Sequence, residues 1–330
     1  DGWDTLADYG QAAHGRAPAT SVTPHAVGKA ISRNHSPDIH FDHGLNPYRG
    51  CEHGCVYCYA RPTHSYLNLS PGLDFETRIF AKPDIAAALA RELQSAAYVP
   101  SQIVIGSATD AYQPAERQWK ITRSVIALLA RCEHPLAIVT KGSGVERDID
   151  LLSAMARKNL AAVYVTITTL DGALARALEP RAAAPHRRLR TIRALAGAGI
   201  PVGVSVAPQI PFLNDDMENV LEAAAQAGAT SAFYTVLRLP WELGAVFQEW
   251  LELHYPQRAA RVMARVRDMR GGRDYDADFA TRMKGSGVWA QLLAQRFTKT
   301  CARLGLNRER HVLDLSRFRP SALSGQASLF

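Results

Sequence analysis

From Asn46 to Arg61 the chain reads NPYRGCEHGCVYCYAR, and three of its five cysteines, Cys51, Cys55 and Cys58, fall within that stretch. The other two, Cys132 and Cys301, are isolated, so the set makes no disulfide framework and suits a reducing cytoplasm. Thiolates are soft ligands for zinc or for iron–sulfur clusters. A structural zinc site is closed by four ligands, whereas cysteines spaced x3 and then x2 leave one corner open. His43, His53 or His64 could close it as zinc with three thiolates and one imidazole. Alternatively, a four-iron–four-sulfur cluster would keep one iron free for a further ligand.

Outward from this loop the pattern becomes regular. KPDIAAALARELQSAAY (82–98) places Ile85, Leu89 and Leu93 four residues apart, a helical spacing. The short apolar run QIVIG (102–106) follows, then a helical stretch carrying Trp119, Val125, Ile126 and Leu129, then LAIVT (136–140). Helical material near 146–158, 171–198 and 215–227 separates the further strands AAVYVTIT (161–168), IPVGVSV (200–206) and SAFYTVL (231–237). Continuously apolar strands alternating with amphipathic helices predict a parallel sheet buried on both faces. With a first strand just before Cys51, the fold expected is α/β: a partial (β/α)6 TIM-like barrel, or an open doubly wound sheet. Either would bind ligands at the strands' carboxyl ends.

After Leu239 the strands stop. WELGAVFQEWLELHYPQRAARVMARVRDM (241–269) and VWAQLLAQRFTKTCARLGL (288–306) read as helices joined by RGGRDYDADF (270–279). The organisation expected is an irregular leader over 1–40, a barrel over 41–240, a helical extension packed on it over 241–316, and a flexible tail over 317–330.

Of the 330 residues, 47% are hydrophobic and 21% charged, which supports a sizeable core. No apolar run reaches the ~20 residues that span a bilayer. The opening DGWDTLADYG shows neither the basic nor the apolar region of a secretion signal. A cytoplasmic protein without a membrane partner is expected. With 38 Lys and Arg against 31 Asp and Glu, the net charge of +7 suits a polyanionic partner.

The C-x3-C-x2-C spacing, with Tyr57 before its last cysteine and the β/α alternation after it, resembles the radical SAM superfamily. Together with IGSATDAYQPAE (105–116) and VTKG (139–142), it is similar to the spore photoproduct lyase-like, or DNA repair photolyase-like, branch, from about His40 to Leu239. The helical tail looks like an uncharacterised bacterial subfamily of that branch.

The resemblance implies that Cys51, Cys55 and Cys58 hold three irons of a four-iron–four-sulfur cluster. S-adenosylmethionine would chelate the fourth and, on reduction, release a 5′-deoxyadenosyl radical that abstracts hydrogen from substrate. A flavodoxin or ferredoxin would supply the electron. Tyr57 would lie near the adenine. Ser107, Thr109 and Asp110 stand where the superfamily holds the methionine amino group, with Asp110 either pairing with the ammonium or capping a helix. Lys141, ending the third strand, would meet the carboxylate. Thr168, alternating with Thr166, would reach the ribose or carboxylate, and Glu179 and Arg181 would reach the mouth of the site or serve as loop charges.

The lyase's hydrogen-donor cysteine near the end of its second strand has no counterpart here. Ser107 and its neighbours replace it, which makes thymine-dimer reversal by that route doubtful. Two spare cysteines do not make a second cluster, unlike the auxiliary-cluster maturases and methylthiotransferases. Arg187, Arg190 and Arg193, and then Arg258, Arg261 and Arg265, form basic stripes that suit phosphate or are merely solvated.

The terminal QASLF resembles the bacterial sliding-clamp-binding pentapeptide, through Gln326, Ser328, Leu329 and Phe330. The function expected is radical repair or modification of DNA. The alternatives are radical modification of RNA, a peptide or a small metabolite, and a non-catalytic zinc-stabilised nucleic-acid-binding protein.

Overall fold

The computed structural model describes residues 19–309 and 311–324. Ten strands are formed: β1 (Ser21–Pro24), β2 (Ser32–Arg33), β3 (His43–Leu45), β4 (Tyr48–Arg49), β5 (Arg78–Ala81), β6 (Ile103–Ile105), β7 (Leu136–Thr140), β8 (Ala161–Thr166), β9 (Val202–Gln209) and β10 (Ser231–Val236). The main sheet runs β10-β9-β8-β7-β6-β3-β2. Its six strands from β3 to β10 are parallel, and β2 pairs antiparallel at the edge. Consecutive strands are spatial neighbours throughout, as winding in one direction around a partial barrel requires. The strands are apolar because helices cover them: Leu136, Ile138, Val163, Val165, Val202 and Val204 are all buried in one core.

The helices follow the predicted alternation: Ile85–Leu93, Ile121–Arg131, Ile149–Ala156, Gly172–Leu178, Pro185–Gly197 and Met217–Gln226 each precede or follow a barrel strand. Each buries one stripe, such as Ile85, Ala88, Leu89 and Leu93. The first barrel strand lies at 43–45. The pair immediately before Cys51 is instead β4, which joins β5 and β1 in a separate three-stranded sheet.

The leader also departs from expectation, since β1 and β2 both form within it. These strands are only four and two residues long and largely exposed. Their edge pairing therefore leaves no hydrophobic period to read.

The extension forms helices Leu243–His254, Pro256–Asp268 and Gly287–Leu304. The first two contribute Leu243, Phe247, Leu251, Val262, Met263 and Val266 to one core that also holds Cys55, Val56 and Tyr57. The third lies on Met217–Gln226, where Arg296 pairs bidentately with Glu218 at 2.6 and 2.7 Å.

The beginning of the expected flexible tail is docked. Phe318 packs edge-on against His134 and Tyr98 at 4.9 and 5.7 Å, and the Arg319 amide donates to the Cys132 carbonyl at 2.8 Å. Its small and polar composition hides the anchoring role of Phe318. The QASLF motif, with Gln326, Ser328, Leu329 and Phe330, lies outside the described residues. Among the described residues, no helix is long and apolar enough to cross a membrane.

Candidate active site

The cysteine loop follows β4, and its shape is held by the side chains of Gln113 and Arg61 and by backbone hydrogen bonds to Phe75 and Leu178. Gln113, fully buried, donates to the Gly50 carbonyl at 3.2 Å and accepts from the Glu52 amide at 2.9 Å. The Cys51 amide donates to Phe75 O at 2.9 Å, and the Val56 amide to Leu178 O at 3.0 Å. Arg61 donates to the Cys55 and Gly54 carbonyls, each at 2.8 Å, and to Gly72 O at 2.7 Å. Gly54 adopts φ +67°, and a β-carbon there would stand 2.2 Å from Glu76 Oε2, so only glycine fits.

This arrangement places the three cysteines on the wall of a cavity of about 410 Å³ at the carboxyl ends of the barrel strands. The same wall includes Tyr57, Ser107, Thr109, Asp110, Lys141, Thr166 and Ser205. Of the residues expected from the sequence to hold the cluster or S-adenosylmethionine, Thr168 and Arg181 do not line this cavity, nor does Glu179.

Thr168 lies past the end of β8, where the strand alternation has ceased. Its hydroxyl is spent on Glu179 Oε1 at 2.5 Å and Tyr57 Oη at 3.1 Å, in the buried layer behind the cavity. Arg181 donates through Nε to the Glu52 carbonyl and pairs with Glu76 at 3.1 Å. It holds the cysteine loop from outside and does not reach the cavity. Glu179 is likewise buried, bonded to Tyr57, Thr168 and Arg188, so it braces the Tyr57 ring.

Asp110 lines the cavity, yet its carboxylate is largely committed. Oδ1 accepts from the Tyr112 amide at 2.8 Å and Thr140 Oγ1 at 2.7 Å, and Oδ2 accepts from the Lys141 amide at 2.6 Å. His53 Nδ1 approaches Oδ2 at 3.4 Å. Burial opposes the charge, but His53 and these donors together hold the Asp110 carboxyl well below the usual range. Asp110 does not cap the following helix, which starts at Glu116 with Ala115 as its N-cap; it ties the end of β6 to the end of β7 instead. Thr109 Oγ1 donates to Tyr48 O at 3.1 Å, and Asn46 Oδ1 accepts from the Ala108 and Thr109 amides at 2.9 and 3.2 Å, which fixes the 107–110 turn.

Lys141 has the opposite character. Its Nζ stands 5.7 Å from the Tyr57 ring centroid and has no carboxylate in ion-pair contact among the described residues. Burial opposes its charge, yet Cys55 and Glu179 nearby raise its pKa, so the ammonium persists facing the cavity. Thr166 and Ser205 are register partners on β8 and β9, and their hydroxyls make no hydrogen bond among the described residues. Ser205 was not legible as a site residue, since a single serine in an apolar strand carries no signal.

The three histidines weighed as a fourth zinc ligand each face another partner. His64 Nε2 contacts Arg78 O at 3.1 Å, His43 Nδ1 contacts Tyr98 Oη at 3.4 Å, and His53 faces Asp110. The isolated thiols are remote from the chemistry: Cys132 and Cys301 are buried in the main core and do not line the cavity.

The basic stripes are partly committed too. Arg187 is buried and pairs with Glu146 at 2.6 Å, leaving Arg190 and Arg193 exposed. Arg261 lies 3.9 Å over the Phe212 ring, Arg258 donates to Phe212 O at 3.3 Å, and Arg265 covers Trp289 at 5.3 Å. Besides Lys141, the cavity's cations come from segments the sequence pattern did not mark. Arg238 follows β10, and Arg282 lies in the loop between the extension helices. Arg282 forms a two-pronged pair with Asp38 of the leader, both contacts 2.6 Å, so leader and extension are joined beside the cavity.

Comparison with known proteins agrees with this geometry. A family profile described as the Radical SAM superfamily matches residues 45–224. An uncharacterised protein of Mycobacterium tuberculosis is 35% identical over 253 residues, 74% of each chain. An uncharacterised protein of Methanocaldococcus jannaschii is 27% identical over 213 residues, covering 64% of this chain and 76% of its own. Among solved structures, spore photoproduct lyase complexed with dinucleoside spore photoproduct matches with a TM-score of 0.56 and 17% identity, over 86% of this chain and 80% of its own. A double mutant of that lyase with bound AdoMet and the same dinucleoside also matches at 0.56. At such identity the likeness is one of fold.

Proposed function

This chain belongs to the radical SAM superfamily and is a radical SAM enzyme, and from that premise we propose that it repairs or modifies DNA at the cavity beside its cysteine loop. Its cofactors, those of the superfamily, are a four-iron–four-sulfur cluster and S-adenosylmethionine. Three free thiols on one rigid loop, with a fourth position left to a non-protein ligand, fit that cluster. When bound, the pair supplies a carbon-centred radical able to take hydrogen from an unactivated C–H bond.

The chain's own residues have separable tasks. Cys51, Cys55 and Cys58 hold the cluster, and Arg61, Gln113 and Arg181 hold the loop that carries them. Lys141 offers an ammonium to the carboxylate of S-adenosylmethionine as a point charge. Thr166 and Ser205 offer hydroxyls to its ribose or carboxylate. Asp110 and Asn46 shape the turn whose backbone and Ser107 border the amino group. Tyr57, braced by Glu179 and Thr168, presents its ring to the cofactor and leaves no mobile phenol beside the radical. The extension helices that share a core with Cys55–Tyr57 would shield that side of the loop from water, as such chemistry requires.

The observation that carries the DNA reading is the cavity itself. Besides the cysteines, its lining includes Arg238, Tyr59, Phe233 and Phe41, cationic and aromatic groups suited to a phosphate and a base. The fold shared with spore photoproduct lyase, solved with a dinucleoside lesion, supports the same substrate class. Because no thiol beyond the three in the loop lines the cavity, the hydrogen returned to product does not come from a cysteine at the second strand.

A flavodoxin or ferredoxin would supply the electron in the cytoplasm. Residues 326–330 would tether the enzyme to a sliding clamp, a role tested by retention on immobilised clamp before and after their removal.

The reaction is tested by anaerobic reconstitution, reduction and assay of 5′-deoxyadenosine with ultraviolet-damaged DNA deuterated at the sugar and base. Deuterium in the 5′-deoxyadenosine supports DNA as substrate. Vigorous cleavage that never acquires deuterium from any DNA, but does from RNA, peptide or metabolite, refutes it.

A further inference from the structure

We propose that Arg238 is an anion subsite of the cavity that receives a backbone phosphate of the substrate strand. This deepens the DNA reading above and rests on it.

Two arginines among the described residues line the cavity, and only one is in ion-pair contact with a carboxylate. Arg282 is matched by Asp38, whereas Arg238 has no carboxylate in ion-pair contact among the described residues. The Arg238 guanidinium lies 5.3 Å from the Tyr59 ring centroid and 6.0 Å from that of Tyr275. Its terminal nitrogens meet only neutral, weak acceptors, Met283 Sδ at 3.2 Å and Tyr275 Oη at 3.5 Å. Its Nε is buried with no acceptor at all. A planar cation with five donors is thus held between two rings and left without an oxyanion. Such a group is an incomplete site: a phosphate would turn unsatisfied donors into charge-assisted, bidentate hydrogen bonds.

The mount is rigid. Arg270, buried behind this wall, donates to the Leu237 carbonyl at 2.7 Å and to the Arg282 carbonyl at 2.7 Å. The backbone on either side of the cavity wall is therefore clamped by one side chain. The Val236 amide donates to Met283 O at 2.9 Å, which ties the loop to the end of β10. Burial, and then the charge of Arg238, push Arg270 down to about 10 despite the opposing pull of the Asp276 carboxylate. Tyr59 is itself fixed, its hydroxyl donating to the Ser107 carbonyl. The platform beneath Arg238 is therefore continuous with the turn at the end of β6.

The neighbouring surface favours a nucleotide over a simple carboxylate. Phe233, 37% exposed, and Phe41 line the same cavity and offer apolar faces for a base. A phosphate on Arg238 would leave the adjoining nucleoside between those rings and the cysteine loop.

The test uses the reconstituted, unreduced holoenzyme with S-adenosylmethionine bound, and two probes of one shape, the dinucleotide d(TpT) and its uncharged methylphosphonate analogue. Wild-type enzyme should bind the charged probe at least about tenfold more tightly, the scale of one charge-assisted pair. Arg238→Gln should abolish that preference without changing affinity for S-adenosylmethionine, which also reports correct folding. Arg238→Lys should retain part of it. Retention of the full preference by Arg238→Gln overturns the assignment while leaving DNA as substrate. Equal wild-type affinity for both probes, with longer single strands still bound, does the same. Wild-type enzyme that binds no oligonucleotide refutes the subsite and the DNA reading together.

Discussion

Arg61 and Cys55 are joined by a 2.8 Å hydrogen bond from guanidinium Nε to carbonyl oxygen, and the same side chain bonds Gly54 O, Gly72 O and Glu76. An arginine three residues after the last cysteine thus holds the loop that its own segment forms. Its side chain is almost wholly buried, so each donor needs a partner, and the loop carbonyls are the partners at hand.

Removing this guanidinium should loosen the loop before it unfolds the protein. Arg61→Ala is expected to cost about 3–5 kcal/mol, the range for breaking a buried ion pair on one side. Arg61→Lys should recover little, because a point charge does not reproduce the fork. Urea unfolding gives the energy, and iron bound per chain after reconstitution shows whether the loop still presents its thiols.

The two classes of cysteine should separate cleanly. Alanine at Cys51, Cys55 or Cys58 should abolish the brown colour and 5′-deoxyadenosine formation. Cys132→Ala and Cys301→Ala should keep both and lose only modest stability, since these thiols pack as small apolar groups in the main core. Stoichiometric zinc in colourless wild-type protein, with no cofactor cleavage, would overturn the cluster assignment.

Lys141 and Asp110 adjoin in the same cavity but should fail differently. Lys141→Met should weaken S-adenosylmethionine binding about tenfold, or about 1.4 kcal/mol, with iron content unchanged. Asp110→Asn removes the anion that the Lys141 amide, Thr140 and His53 all face, so its main effect should be on stability. Calorimetric titration beside thermal unfolding distinguishes the two. A tighter-binding Lys141→Met variant would refute the carboxylate role.

On the far side of the barrel, His134 should make stability depend on pH. Its Nε2 contacts Tyr98 Oη at 2.7 Å and its Nδ1 contacts Pro135 O at 3.0 Å, partners that fit a neutral ring donating from Nδ1. Burial, with a smaller push from His43 and against the Pro135 hydrogen bond, takes its pKa from 6.5 down to about 4. Between those values the unfolded chain binds more protons than the folded one. The stabilisation is therefore complete above pH 6.5 and is lost as pH falls toward 4, by about 3 kcal/mol. Urea midpoints at pH 7, 5.5 and 4.5 should show the loss, and His134→Asn should flatten it.

The alternation of apolar strands and amphipathic helices was legible because helices cover both faces of a parallel sheet, and that burial is written into each short segment. Edge strands such as β1 and β2 escaped notice because a few exposed residues carry no period. The helical nature of the extension was readable. Its sharing of a core with Cys55–Tyr57 was not, since nothing local says which surface a helix stripe will meet.

The sequence by itself determined the thiol spacing of the cluster loop and the order of the barrel, because both depend on neighbours within a few residues along the chain. Only the tertiary structure decided which polar groups remain available. It spent Thr168 and Arg181 on buried supports, committed most of Asp110 to a turn, and neutralised Arg282 with Asp38 from 244 residues away in sequence. It also left Lys141 and Arg238 facing the cavity without a carboxylate. Availability is set by who else is buried nearby, and in a barrel those neighbours come from strands and loops that the chain separates widely.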